Sequence, residues 1–321
     1  MNKMTDNKQK DPACWNNQMP NADITVSIII VNYKTKELLI NAINSIYSHT
    51  DGISFEIIVV DNNSEDGSEA TINESFEKRV KYISLSENLG FGRANNEGAK
   101  IATGNYLFFL NSDTILLNNA IKTLSIFLNK NPTVGICGGN LYTLDLKPTH
   151  SCMPVLPSLL LELDSLFWHI PFKLVWGITF DFNTTNRPKK VADIIGADLM
   201  IRSDLFKEIG GFDPDFFLYN EETKLAFMVK EKGYFIYSVP DAHIIHLEGK
   251  SMTSDISKRK FGLISRKIYY KKTQTYFYRV LIDLVFILKC ILGIFISTFT
   301  LKKGYIRYWS FALKNGMVEL W

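Results

Sequence analysis

The sequence predicts an α/β fold built on a doubly wound, mostly parallel sheet. Three observations carry this. Short β-branched runs recur along the first third of the chain, helical apolar spacing separates them, and each run ends in a polar Asn/Asp/Glu turn. In such sheets ligands sit beyond the carboxyl ends of the strands, so the polar turns are the residues to follow.

Met1 to Asp23 is polar, lacks the apolar run of about 7 to 15 residues that a secretory signal needs, and reads as a flexible tail without a signal peptide. Val26-Ser27-Ile28-Ile29-Ile30-Val31 and Phe55-Glu56-Ile57-Ile58-Val59-Val60 read as buried parallel strands. Between them, Lys36 to Tyr47 sets Leu39, Ile43 and Ile46 at helical spacing, which completes a βαβ unit. Lys81 to Leu85 is a third strand. A Gly/Asn-rich loop and a helix over about Arg93 to Ala102 follow, and Tyr106 to Leu110 is a fourth strand. From about Asn140 to Lys190, Pro-punctuated aromatic segments such as Ser165-Leu166-Phe167-Trp168 carry no assignable chemistry. Order returns with a strand over Gly196 to Arg202, a helix, the turn Gly210-Gly211-Phe212-Asp213 and a helix over Glu221 to Lys232. Strands near Tyr234 to Val239 and Ala242 to His246 complete the series.

With 321 residues, 46% of them hydrophobic, the chain can bury a large core without disulfides. Cys14, Cys137, Cys152 and Cys290 are scattered with no C-x-x-C pair, which suits a reducing compartment. No P-loop stretch occurs. A dinucleotide fingerprint starting at Gly90-Phe91-Gly92 fails because its third glycine would be Asn95.

The net charge of +3 conceals an asymmetry: residues 250–321 hold fourteen Lys/Arg against three acids, leaving −8 on the rest. Tyr, Phe and Trp interleave with these cations, which suits an anionic membrane surface better than nucleic acid. Within that tail, residues 280–299 have the length of a membrane span, and 16 of the 20 are apolar or Gly. Asp283 and Lys289 interrupt them, so crossing and lying in the interface are nearly balanced, and a buried core helix pair is the other option. Lys258-Arg259-Lys260, Arg266-Lys267, Lys271-Lys272 and Lys302-Lys303 would hold either arrangement to lipid. The expected location is the cytoplasmic side of the inner membrane, peripheral or singly anchored.

The polar turns follow each of the four early strands: Asn32-Tyr33, Asp61-Asn62-Asn63, Glu87-Asn88 and Asn111-Ser112-Asp113. One alone would be an Asx-turn or a cap; four at one sheet edge point to a site. Glu221 and Glu222 open a helix, where the dipole favours acids in any case.

Taken with Asn88-Leu89-Gly90-Phe91-Gly92-Arg93, Phe216-Phe217-Leu218-Tyr219-Asn220-Glu221-Glu222 and His246-Leu247-Glu248-Gly249-Lys250-Ser251, these turns resemble family 2 of the glycosyltransferases. Its bacterial rhamnosyltransferase-like branch is the most similar, and the likeness covers about residues 25 to 255. The resemblance implies the GT-A fold and an inverting transfer of a sugar, with rhamnose a named option, from a dTDP- or UDP-sugar. The acceptor it implies is a glycan or polyprenyl-linked glycan of cell-surface polysaccharide synthesis. It implies that Asp61 accepts the base imide N–H, with Asn32, Tyr33 and Asn63 beside it. Asn88, Gly90 and Arg93 would meet the rest of the donor, the helix start and guanidinium suiting phosphate.

Asn111, Ser112 and Asp113 take the place of the family's D-x-D motif, with Asn111 where the first Asp stands. Asp113 and His246 would hold Mn²⁺ or Mg²⁺, which neutralises the departing diphosphate. Glu222 falls on the catalytic base, which needs to take the acceptor's proton, and Glu221 on its supporting carboxylate. Asp198 and Lys224 are expected on the acceptor side. Lys224 replaces a usual acid and Met228 a usual Arg, and Lys224 either faces solvent or marks altered acceptor recognition. The expected organisation is a tail over 1–23, a transferase domain over 24–255 with a nucleotide-binding half to 115 and an acceptor-binding half from 116, and a membrane-associating helical tail over 256–321. A catalytically impaired sugar-nucleotide or glycan-binding protein is the alternative that Asn111 and Lys224 raise. A nucleotidyltransferase is a poorer match, because it wants a basic loop near the first strand.

Overall fold

A computed structural model describes residues 25–76, 79–177, 179–247, 255–301 and 303–319, with the side chains of 255–257 left aside. The tail expected over 1–23, the Glu248 to Ser251 part of the histidine motif, and Lys302 lie outside the described residues.

The first half alternates strand and helix: β1 (Thr25–Asn32), α1 (Lys36–His49), β2 (Ser54–Asp61), α2 (Ser68–Phe76), β3 (Val80–Ser84), α3 (Phe91–Ile101) and β4 (Tyr106–Leu110). β5 (Thr114–Leu116), α4 (Ala120–Lys130) and β6 (Val134–Tyr142) follow. The segment of unassigned chemistry folds into β7 (Cys152–Met153), α5 (Leu159–Leu166), α6 (Ile170–Trp176), β8 (Lys189–Val191) and β9 (Asp193–Ile194). Then come β10 (Asp198–Arg202), α7 (Ser203–Glu208), α8 (Glu221–Glu231), β11 (Phe235–His246), α9 (Asp255–Thr273), α10 (Tyr276–Phe299) and α11 (Lys303–Asn315).

The main sheet runs β3-β2-β1-β4-β10-β6-β11-β5, with β8 also on β11. Ile28, Ile29 and Ile30 are fully buried, as a central strand covered on both faces requires. The helical spacing read in α1 holds, with Leu39, Ile43 and Ile46 buried against the sheet. α3 approaches the other face through Gly98, where an added Cβ would lie 2.6 Å from Ile29 Cγ2.

The expected mostly parallel sheet is instead mixed. β1, β2, β3 and β4 pair in parallel, as do β6 and β11, but β10 runs antiparallel to both β4 and β6, and β5 and β8 run antiparallel to β11. The chain enters β10 at the carboxyl end of β4, where Asn111 N–H bonds to Ala197 O at 3.0 Å. A strand entered at that end returns antiparallel, since parallel pairing needs a crossover to the opposite end. The two late strands also prove to be one, β11, whose register on β6 shifts between Ser238 and His243 around Pro240, a residue with no N–H for the ladder.

The C-terminal helices pack on the domain. Tyr269, Tyr270, Ile282 and Val318 bury with Phe216, while Phe286 and Cys290 of α10 bury with Ala312 and Met317. Asp283 is fully buried, and its carboxylate accepts from Val318 N–H at 2.7 and 2.8 Å and Glu319 N–H at 2.7 Å. Lys289 Nζ donates to Ser165 Oγ at 3.0 Å. The two charges that interrupt the apolar run thus hold tertiary contacts.

Candidate active site

Asn32 and Asp61 end β1 and β2 opposite one another. Asn32 is fully buried: its Nδ2 donates to Asp61 Oδ1 (2.8 Å), Ser64 Oγ (3.0 Å) and Ser68 Oγ (3.1 Å). Its Oδ1 accepts from Thr35 N–H (3.3 Å) and the Thr35 hydroxyl (2.8 Å). With no exposed surface, Asn32 shapes the loop that carries Asp61. Tyr33 beside it is half-buried, and Asn63 sits in the left-handed region at φ 61°.

Asn62, to which sequence reasoning gave no role, staples the second and third turns. Its Nδ2 donates to Asn88 Oδ1 (2.8 Å) and Gly90 O (3.2 Å), and its Oδ1 accepts from Leu89 N–H (2.7 Å). Arg93, in the first turn of α3, donates from Nε to Leu89 O at 2.8 Å, which fixes the base of its guanidinium at this loop. Ser112 Oγ lies 2.8 Å from Thr35 Oγ1 and joins the Asn111-Ser112-Asp113 turn to the first turn.

Asn111, Asp113 and His246 converge. His246 Nε2 is 3.3 Å from Asn111 Nδ2 and 3.4 Å from Asp113 Oδ1. Leu247 N–H bonds to Asp113 O at 3.0 Å, which ties the end of β11 to this turn, and the buried His246 Nδ1 has no hydrogen-bond partner. Among the described residues no three His, Cys, Asp or Glu side chains form a metal-binding group. One carboxylate and one imidazole, with a neutral amide beside them, suit a cation that draws its remaining ligands from phosphate oxygens and water, as Mg²⁺ does in phosphate-transfer sites. The donor set fits on those terms.

The acidic start of α8 closes the other side. Tyr219 and Asn220 precede it at φ 70° and 63°, and Phe217 O accepts Phe91 N–H at 2.9 Å. Gly90, at φ 83°, permits this junction, because a Cβ there would lie 2.1 Å from Phe217 O. α9 holds the same loop: Lys272 pairs with Asp213 (2.7 Å), Ser265 Oγ donates to Leu218 O (2.6 Å), and Phe261 stacks on Phe217 at 4.8 Å.

Glu221 is buried and Glu222 half-buried; each has an Oε2 that is shielded from solvent and without a hydrogen-bond partner. Burial raises both carboxyl groups above the usual range, Glu221 well above it with the Glu222 charge adding to the effect. A third acid joins them. Asp193 in β9 is buried and pushed up to about 8, by burial first and then by the Glu222 charge. Nothing in the sequence marks Asp193, an isolated acid in the segment of unassigned chemistry. Gly196 and Ala197 connect the two sides: a Cβ on Gly196 would lie 3.6 Å from Glu222 Cβ, while Ala197 O accepts Asn111 N–H.

Two expectations for the acceptor side change. Asp198 is fully buried within the sheet, accepts Gly139 N–H at 2.5 Å and is held well above the usual carboxylate range by burial, so it has no exposed surface with which to meet an acceptor. Lys224 does not face solvent. It is buried, its ammonium lies 4.9 Å from the centroid of the Phe227 ring, and burial lowers its pKa.

The fold and the converging turns define a GT-A-type nucleotide-sugar transferase architecture. Two solved structures share it: GalNAc-T7 with UDP, GalNAc and Mn²⁺ (TM-score 0.57, 17% identity, 76% of this chain and 47% of that one), and Staphylococcus aureus TarS 1–349 (TM-score 0.50, 13% identity, 91% and 92%). Residues 27–210 match glycosyl transferase family 2, more than half of the chain, and the protein belongs to that family. It is similar to the O-antigen biosynthesis protein RfbC of Myxococcus xanthus, 24% identical over 72% of this chain and 18% of that protein. An uncharacterized glycosyltransferase of Rickettsia typhi is 30% identical over 67% of this chain and 62% of its own length. Escherichia coli WfgD, a UDP-Glc:α-D-GlcNAc-diphosphoundecaprenol β-1,3-glucosyltransferase, is 29% identical over 34% of this chain and 43% of that one. The chain thus spans less than a fifth of RfbC.

Proposed function

We propose that this protein is an inverting, metal-assisted glycosyltransferase that moves a sugar from a dTDP- or UDP-sugar to a glycan or polyprenyl-linked acceptor at a membrane surface. Rhamnose is the sugar that the sequence resemblance favours. The diphosphoundecaprenol-linked acceptor of WfgD supports the lipid-linked reading, as does the O-antigen role of RfbC. One observation carries the proposal: Glu222 presents a buried, unpartnered carboxylate oxygen across Gly196-Ala197 from the Asn111, Asp113 and His246 cluster.

In this reading Asp61 accepts the imide N–H of uracil or thymine, held in place by Asn32 and Ser64, and Tyr33 packs beside the base. Asn63, Asn88, Gly90 and Arg93 line the way to the phosphates, where the N–H groups at the start of α3 suit negative charge. Asn111, Ser112 and Asp113 turn toward the diphosphate, and Asp113 and His246 would hold the divalent cation. When bound, Mn²⁺ or Mg²⁺ stabilises charge on the leaving diphosphate. Glu222 takes the proton of the acceptor hydroxyl as its oxygen bonds to the anomeric carbon and the bond to the diphosphate breaks. Burial raises the Glu222 carboxyl above the usual carboxylate range, which makes Glu222 a stronger base than an exposed glutamate. Glu221 and Asp193, held toward their neutral forms, limit like-charge repulsion around it.

Glu222→Gln keeps the shape and removes the base. Transfer with Mn²⁺ is expected to fall about 10²- to 10⁴-fold while the donor still raises the melting temperature. Undiminished transfer would remove Glu222 from the mechanism. A second reading, a binding protein without transfer, is motivated by Asn111 and Lys224. It predicts donor stabilisation of the unsubstituted protein with no product.

A further inference from the structure

The hydrophobic surface left uncovered is concentrated on two helix pairs. α6 exposes Leu174 at 82% and Val175 at 71%, and α10 exposes Phe295 at 59% and Phe299 at 73%. α10 packs against both α5 and α11, so the two pairs meet side by side. Between them opens a cleft of about 410 Å³ with Trp168, Leu292, Ile296, Tyr305 and Trp309 in its walls. A folded domain rarely leaves this much apolar side chain in water without a partner.

α10 is the one described helix long and apolar enough to cross a membrane. Its neighbours argue against crossing. α11 lies along it, with the Trp309 ring so close to Gly293 that a Cβ there would come within 2.4 Å, and with Gly316 equally tight on Phe286. Lys303, Arg307 and Lys314 of α11 are exposed and travel beside α10. A spanning α10 would take Arg307 and Lys314 into hydrocarbon together with the Asp283 carboxylate, each an unfavourable transfer. Laid flat, the same helices place apolar and aromatic side chains in the acyl boundary and the cations at headgroup level. Arg259, stacked 4.5 Å from the centroid of the Tyr308 ring, adds to that aromatic and basic border.

We propose that α5–α6 and α10–α11 form one monotopic docking face for an anionic lipid bilayer, with α10 lying in the plane of the interface. The segment Leu159–Trp176 is then a second membrane element, independent of the basic tail. This deepens the membrane-held acceptor of the proposed function, yet vesicle binding is read without donor or acceptor, so its failure leaves sugar transfer untouched.

The full chain is floated with phosphatidylcholine vesicles with and without phosphatidylglycerol. Leu174→Glu combined with Val175→Glu alters two side chains that are mostly in solvent, so the fold is retained, as a matching melting temperature will check. Partitioning is expected to require phosphatidylglycerol and to weaken about tenfold or more in the double variant. Equal partitioning of variant and parent would overturn the role of α6. In a Cys14→Ser background, Thr275→Cys and Thr300→Cys mark the two ends of α10. Both are expected to react with a membrane-impermeant thiol reagent added outside sealed vesicles. Protection of one end until detergent is added would mean that α10 crosses, which overturns the in-plane arrangement. A lipid-free dimer that the double variant disperses, with vesicle binding unchanged, would reassign the face to self-association.

Discussion

Gly90→Ala tests how the donor loop is joined to the acidic helix. Gly90 has φ 83° and ψ −179°, a region open essentially to glycine alone, and occupying it with alanine costs about 1 to 3 kcal/mol. The new Cβ would also lie 2.1 Å from Phe217 O and 2.9 Å from Phe217 C, backbone atoms that no rotamer change can move. The loop must therefore retreat, breaking the Phe91 N–H to Phe217 O bond of 2.9 Å, and leaving that half-buried amide unsatisfied adds about 1 to 3 kcal/mol. The expected loss is about 2 to 6 kcal/mol. Gly67→Ala is the matched control. Its φ is 76°, but nothing lies within 4 Å of the added Cβ, so only the backbone conformation is strained, at about 1 kcal/mol. Urea unfolding followed by tryptophan fluorescence gives both losses, and transfer is assayed on the same samples. Gly90→Ala is expected to lose markedly more stability and to lower transfer, because Phe217 sits four residues before Glu221. Equal losses for the two alanines, with transfer intact in both, would refute the junction.

Asn111→Asp supplies the missing carboxylate of the D-x-D motif beside His246, and is expected to lower the Mn²⁺ concentration needed for half-maximal transfer; an unchanged requirement would separate Asn111 from the cation. Asp193 gives a pH dependence of stability. Burial, and then the Glu222 charge, push its carboxyl from the ordinary 3.8 up to about 8, so the native state binds the proton more tightly. The stabilisation is therefore full below pH 3.8 and is lost as pH rises towards 8. Asp193→Asn is expected to flatten that loss, of order a few kcal/mol shared with Glu222, and to exceed the parent in stability at pH 8; urea midpoints across the range decide it. Asp283→Ala removes the acceptor of the Val318 and Glu319 N–H groups and is expected to cost about 2 to 4 kcal/mol, with Asp283→Asn milder because one oxygen remains. Equal urea midpoints for Asp283→Ala and the parent would show that this end of the chain is not held by Asp283.

What is local in period or in turn chemistry could be read from the order of residues alone. The strands and helices from Thr25 to Leu110 follow from β-branched runs and 3.6-residue spacing, and the edge that carries Asn32, Asp61, Asn88 and Asp113 follows from the rule that α/β ligands lie beyond strand ends. Glu221, Glu222 and His246 are singled out through the resemblance of the motifs around them to the glycosyltransferase family, not through period or spacing. The direction of β10 emerged with the folded chain, since pairing sense depends on which end the chain enters and not on the composition of the strand. It alone brought Asp193 to Glu222, across about thirty residues of chain. It also withdrew Asp198 and Lys224 from solvent, because burial of a charged side chain is a property of what packs over it. The tail shows the division most clearly. Composition gave an apolar run broken by Asp283 and Lys289, whereas the fold shows those charges answering Val318, Glu319 and Ser165, contacts that no linear reading of hydropathy contains.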